Sequence, residues 1–209
     1  MVPTMDHNKA IFVIRAWMLG REYYDALEAM EWTLAYHRGV RKNGVTPEVS
    51  HQLSVVYYLK TILDNLTHPQ ETLSVGFLHD SPEDYPDNVS IGDIAKTFGP
   101  LVAAPVRLCN RYYGEKSIKD IKSYYVEISK SPIASIVKAA DRIHNVQTMI
   151  GVFNKEKQKK YVQETEEYVL PMIKAARRRF PRQERAYENA KHFLKCQIEL
   201  IEAIHGGKI

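Results

Sequence analysis

Apolar residues recur along this chain at the three-and-four spacing of amphipathic helices rather than the alternation of strands. Over residues 6–18 the apolar positions are Ile11, Ile14 and Met18, and over 22–36 Tyr23, Leu27, Met30 and Leu34 share one stripe. Gly39, Gly44 and Pro47 then break a polar loop over 38–47. A helix is predicted over 49–66, where Val55 and Val56 are strand-like only in isolation because their flanks keep the helical period. After His68, Pro69 is acceptable in the first turn of a new helix over 70–79, which holds Leu73, Val75, Phe77 and Leu78 and ends at Ser81-Pro82. Ser90 is placed to cap a short helix over 91–98 that stops at Gly99-Pro100. Helices follow over 101–111, 118–129 and 133–153, then two long amphipathic ones over 156–180 and 183–203. No run alternates between hairpin turns, so the fold class is all-α. No internal linker separates a second domain, so one domain over 1–209 is expected, with C-terminal helices over 176–209.

Composition narrows the function classes without choosing among them. Hydrophobic residues at 44% and charged residues at 26% are ordinary for a globular protein. The net charge of +4 is a mild excess, gathered mainly in residues 155–160 and 177–185. Such runs are as expected of solvated helix faces, so nucleic-acid binding has only charge behind it, whereas a small anionic substrate suits the balance. Cys109 and Cys196 are far apart with no metal-type spacing, as in a reduced cytoplasmic protein. The apolar stretch 11–14 is far too short for a signal-peptide core or a membrane span. The long C-terminal helices offer apolar faces through which copies of the chain could pair.

Four residues are candidate metal ligands: His51, His79, Asp80 and Asp141. His79-Asp80 falls where a strongly apolar helix gives way to a Pro-rich loop, and near a helix end neighbouring side chains can turn toward one ion. Asp141 lies inside a later apolar helix, and an acid there needs a partner. Lys138 and Arg142 are partners near in sequence; a metal is another. Two imidazoles and two carboxylates make a mixed N/O set that suits Mn²⁺, Fe²⁺, Co²⁺ or Zn²⁺ better than Ca²⁺. An ion so held lowers the pKa of bound water and polarises a phosphoryl oxygen. Glu83 lies three residues beyond Asp80, about one helical turn, and can serve as a base there; as a bare pair, Glu83-Asp84 also reads as an acidic loop.

Taken together and in order, these segments resemble the (p)ppGpp hydrolase domain of RelA/SpoT-type proteins, within the HD superfamily. His79-Asp80-Ser81-Pro82-Glu83-Asp84 resembles the H-D-x-x-E-D motif, and Lys138 through Asn145 resembles K-L-A-D-R-L-H-N. Upstream, Arg41-Lys42-Asn43-Gly44 and Pro47-Glu48-Val49-Ser50-His51 are similar to R-K-x-x-G-x-P-Y-x-x-H; downstream, Glu164 to Pro171 is similar to E-T-x-x-Y-x-x-P. The resemblance implies an all-α HD fold and Mn²⁺ held by His51, His79, Asp80 and Asp141. It implies that Glu83 and Asp84 orient and deprotonate the attacking water. Arg41 would pack on the purine, Lys42 would face phosphates, and Asn145 would touch the nucleotide. His37 resembles a family histidine near the nucleotide, and reads equally as a helix-end residue placed for the dipole. His144 reads as a packing or outer residue. Tyr124 and Tyr125, like Tyr112 and Tyr113, read as packing, although the family places an aromatic near Tyr124.

Three departures touch the pocket. Glu48 stands where the family has Tyr, Gln52 replaces the Pro after the proposed ligand His51, and one extra residue separates Gly44 from Pro47. The implied reaction is removal of pyrophosphate from the 3′ position of ppGpp or pppGpp. Two alternatives stay open: an HD phosphohydrolase for dNTPs, nucleoside monophosphates or NADPH, and a nucleotide-binding HD module without turnover.

Overall fold

The computed structural model describes residues 6–113, 116–117 and 120–208, with residues 112, 113, 116 and 117 described by backbone alone. The expectations for Tyr112, Tyr113 and the start of the helix at Ile118 lie outside what is described. Helix α1 (His7–Leu19) begins where Asp6 accepts the Lys9 N–H, and α2 (Tyr24–Tyr36) follows after a tight turn. Helix α3 (Ser50–Thr61) is shorter than its apolar pattern suggests. The Thr61 hydroxyl donates to Tyr58 O at 2.6 Å and Ile62 N–H reaches back only three residues to Leu59, tightening the chain into a 3₁₀ turn, Leu63–Asn65.

Helix α4 (Pro69–Leu78) ends at His79, and a single turn, α5 (Ser81–Asp84), restarts from Asp80. Helix α6 (Ile91–Phe98) carries a reciprocal Ser90/Asp93 capping box, as the serine signalled. Helices α7 (Pro100–Cys109) and α8 (Ile121–Ile128) flank a two-residue antiparallel pairing of Tyr112–Tyr113 with Lys116–Ser117. Helix α9 (Pro132–Thr148) stops before the expected residue 153, because Gly151 at φ 76° reverses the chain. The long helix expected over 156–180 is two, α10 (Lys155–Glu164) and α11 (Leu170–Arg179), joined by a π turn, Thr165–Val169. Pro171 explains the join: it has no N–H and its ring would strike the Glu167 carbonyl, so the preceding turn widens. Helix α12 (Glu184–Ile204) lies on α9 and α11 and leaves Phe193, Leu200 and Ile204 exposed.

Helix α4 is the axis of the packing. Every residue from Thr72 to Leu78 is buried, and the helix meets α2, α3, α7 and α9. Gly76 sets its approach to α3: a Cβ there would lie 2.9 Å from Leu59 Cδ1 and 3.1 Å from Val56 Cγ2. The absence of a side chain lets α4 close against the middle of α3. Gly76→Ala is therefore expected to destabilise the protein by about 1–3 kcal/mol through overpacking, as read by urea denaturation. A stability equal to wild type would show that Leu59 relaxes at no cost. Among the described residues no helix is long and apolar enough to cross a membrane.

Candidate metal centre and its cleft

Three helices converge to place four side chains. His51 sits in the first turn of α3, His79 and Asp80 at the junction of α4 and α5, and Asp141 midway along α9. His79 Nε2 lies 3.0 Å from Asp80 Oδ2, and His51 Nε2 lies 3.2 Å from Asp141 Oδ1 and 3.4 Å from Asp80 Oδ2. The two imidazole Nε2 atoms are 3.3 Å apart. One ligand atom from each of the four falls within 4.8 Å of the rest.

Three of the four candidate ligands, His51, His79 and Asp141, are each aimed by a partner outside the set, as metal ligands are. His79 Nδ1–H donates to Gly76 O at 2.9 Å, which turns Nε2 inward, and the Asn110 amide holds the His79 carbonyl at 2.8 Å. His51 Nδ1 meets His144 Nδ1 at 2.7 Å. Burial, reinforced by His51 and Arg41, pulls His144 down to about 3, so its ring is neutral and accepts the His51 proton. Asp141 divides its work: Oδ1 faces the histidines and receives the Asn145 amide, while Oδ2 holds Lys138 Nζ at 2.9 Å. Lys138 is thus a true partner of Asp141, and the carboxylate still faces the histidines. Burial alone would lower His79, but Asp80 and Asp141 outweigh it and raise the ring to about 9. The negative field that holds that proton is also what would draw a cation.

The donor set fits a divalent ion. Two buried imidazole nitrogens and two carboxylate oxygens converge, and beside Lys138 the carboxylates are offset by the proton they hold on His79, which an ion would displace. The ligands are not sealed in. Asp80 opens onto a cleft of about 360 Å³, within the range of small-molecule sites. Arg41, Lys42, Glu48, Asp84 and Asn145 line it, together with Phe153 and Tyr161. The loop that carries Arg41 and Lys42 is ordered: Asn43 Oδ1 accepts the Val45 and Thr46 N–H groups, Gly44 takes φ 72°, and Val40 bridges Pro47. Arg41 Nη2 donates to Asn145 Oδ1 at 3.3 Å, which links the loop to the Asp141 helix.

The acidic pair divides. Asp84 is exposed on the cleft lining, where partial desolvation together with Asp80, Glu48 and Glu83 pushes its carboxyl up to about 7. Glu83 instead accepts the Arg111 backbone N–H at 3.0 Å. His37, the end cap of α2, is buried at 2% exposure behind Glu48 and Ser81. Burial lowers it to about 4, so it is neutral and carries no charge for the helix dipole. Tyr124 packs inside, donating to Cys109 O, and Arg177 pairs with Glu184 and Glu188, so neither faces the cleft. A larger hollow of about 860 Å³ between α6, α7 and α8 is apolar and holds no cluster of metal donors. Phe153 and Tyr161 were not singled out in the sequence; their only signal is aromaticity downstream of the Asp141 helix.

An all-helical frame that gathers His, His-Asp and Asp from three helices at the head of a polar cleft defines the HD class of metal-dependent phosphohydrolase folds. The chain belongs to the HD domain family, whose pattern it matches over residues 29–178. It is 33% identical over 142 residues to a GTP pyrophosphokinase of Streptomyces antibioticus, which covers 66% of this chain and 16% of the relative. A guanosine-3′,5′-bis(diphosphate) 3′-pyrophosphohydrolase of Aquifex aeolicus is 27% identical over 148 residues, covering 69% of this chain and 20% of that protein. The chain thus spans a fifth or less of these relatives. Among solved structures, a metazoan ortholog of SpoT that hydrolyzes ppGpp superposes with a TM-score of 0.58 at 21% identity, covering 87% of this chain and 96% of that one. That likeness carries the fold.

Proposed function

We propose that this chain is a (p)ppGpp 3′-pyrophosphohydrolase with Mn²⁺ at the His51–His79–Asp80–Asp141 centre. The observation that carries the reading is the opening of that centre, through Asp80, onto a cleft whose far wall is Arg41 and Lys42. The ion supplies Lewis acidity and a water activated at neutral pH. Asp84, which lines the cleft beside Asp80, takes the proton of the attacking water. Glu83 fixes the turn that carries Asp84 through its bond to the Arg111 backbone. Arg41, steadied by Asn145, stacks on the purine, Lys42 meets phosphate as a point charge, and Phe153 and Tyr161 supply apolar wall. Water adds to the phosphorus bonded to the ribose 3′-oxygen, that P–O bond breaks, and the 3′-oxygen is protonated. The products are pyrophosphate and GDP or GTP.

Glu48 on the cleft wall favours a second reading, the same chemistry on another nucleotide. One assay separates them: Mn²⁺-loaded wild type and Asp80→Ala are incubated with ppGpp, dATP, dGTP and NADPH. Pyrophosphate and GDP from ppGpp, absent with the variant or with a chelator, are expected. Cleavage of another nucleotide alone would reassign the substrate. Bound metal with no turnover would make the chain a nucleotide-binding module.

A further inference from the structure

Two of the three positions at which this chain departs from the pattern it resembles, Glu48 and Gln52, meet in space on one side chain, His37. Gln52 Nε2 lies 3.4 Å from His37 Nδ1, and Glu48 Oε1 lies 3.9 Å from the same nitrogen. Asp84 completes the group: one ligand atom each from His37, Glu48 and Asp84 falls within 4.8 Å of the others. None of the three belongs to the His51–His79–Asp80–Asp141 set.

The atoms are already oriented. His37 Nε2 faces Ser81 Oγ at 3.0 Å, so a neutral ring that donates there turns the Nδ1 lone pair toward Glu48. The Tyr85 hydroxyl donates to Glu48 Oε2, which leaves Oε1. The Nδ1 lone pair has one donor, the Gln52 amide nitrogen at a long 3.4 Å, and faces a carboxylate oxygen 3.9 Å away that cannot donate to it. A cation about 2.0–2.2 Å from each spans that gap. A separate observation points the same way. Gln52 is 1% exposed, and its amide oxygen finds no partner among the described residues. An amide oxygen left unpaired in the interior is costly, and it is a ligand that hard cations accept.

We propose that His37, Glu48 and Asp84, joined by the Gln52 amide oxygen once that amide turns over, form a second divalent-cation site on the wall of the cleft. One nitrogen and three oxygens suit Mn²⁺ and its first-row neighbours. Glu48 and Asp84 line the cleft beside Asp80, so an ion there offsets carboxylate charge that would repel a phosphorylated substrate. The proposal rests on the reading of the first centre as a metal site, and the two readings fail in different ways.

The test is a metal count. Chelator-stripped protein is dialysed to equilibrium against saturating Mn²⁺ and the bound metal is measured by atomic emission. Wild type is expected to hold two equivalents per chain. Glu48→Gln, and Glu48→Tyr with the family's residue, are expected to hold one, and that retained equivalent is itself the control for folding. Asp141→Ala, checked by circular dichroism, is expected to keep the other. One equivalent in wild type that survives Glu48→Gln overturns the second site and leaves the first. Two equivalents in Glu48→Tyr also overturn it, and none in wild type overturns both.

Discussion

Asp141→Ala is expected to abolish hydrolysis, to remove the metal held by His51, His79 and Asp80, and to lower stability by about 3–5 kcal/mol. The stability loss has a cause separate from the metal. Asp141 is 5% exposed and its Oδ2 is 2.9 Å from the ammonium of Lys138, itself 9% exposed. Burial would lower the Lys138 pKa, yet Asp141 holds it well above the ordinary lysine value, so the ammonium depends on that carboxylate. Removing one partner of a buried pair leaves an uncompensated charge, whereas removing both leaves an apolar gap. Asp141→Ala combined with Lys138→Met should therefore recover most of the stability while metal binding at that centre stays lost. Urea denaturation read beside metal content separates the two effects. A single variant within about 1 kcal/mol of wild type would mean that the pair behaves as a surface ion pair.

That double role shows how far the site could be read before the fold was known. The helical period exposed nearly every helix, and it placed His79-Asp80 at a helix end and Asp141 within an apolar helix. Helix ends were harder. Thr61 ends α3 through its own hydroxyl bond, and Pro171 converts one long helix into two through a π turn. Neither event alters the apolar spacing that defines the helix. Within the site, the candidate ligands His51, His79, Asp80 and Asp141, which the fold gathers within 4.8 Å, could be picked out because they sit in short, ordered motifs. The division between Glu83 and Asp84 was not. It depends on the rotation of a four-residue turn that is anchored by the backbone of Arg111, 28 positions away. The meeting of Glu48 and Gln52 on His37 was equally hidden, since in the sequence they are two unrelated departures.

Glu164→Ala is expected to cost about 3–5 kcal/mol with no change in bound metal, although Glu164 belongs to a motif as regular as those of the centre. Its carboxylate Oε1 accepts from Arg111, from Arg142 and from the Tyr125 hydroxyl, so one acid holds two guanidinium groups together. Arg142 is 6% exposed and packs over the Tyr161 ring, and Arg111 packs over Tyr124 and Tyr125. Without Glu164, two positive charges face each other inside a junction of α7, α8, α9 and α10. Burial by itself would raise the Glu164 carboxyl; Arg142, the Tyr125 hydroxyl and Arg111 outweigh it and hold the group below its ordinary value of 4.5. The group's folded pKa is depressed, so its stabilisation is complete above the unfolded value and is lost as pH falls through the folded one. Urea midpoints for wild type and Glu164→Ala should accordingly differ widely at neutral pH and converge in acid. A difference that is constant with pH would make the loss one of packing. A loss of bound metal would place Glu164 in the centre itself, and its partners do not predict that: among the described residues its carboxylate is hydrogen-bonded to Arg111, Arg142 and Tyr125.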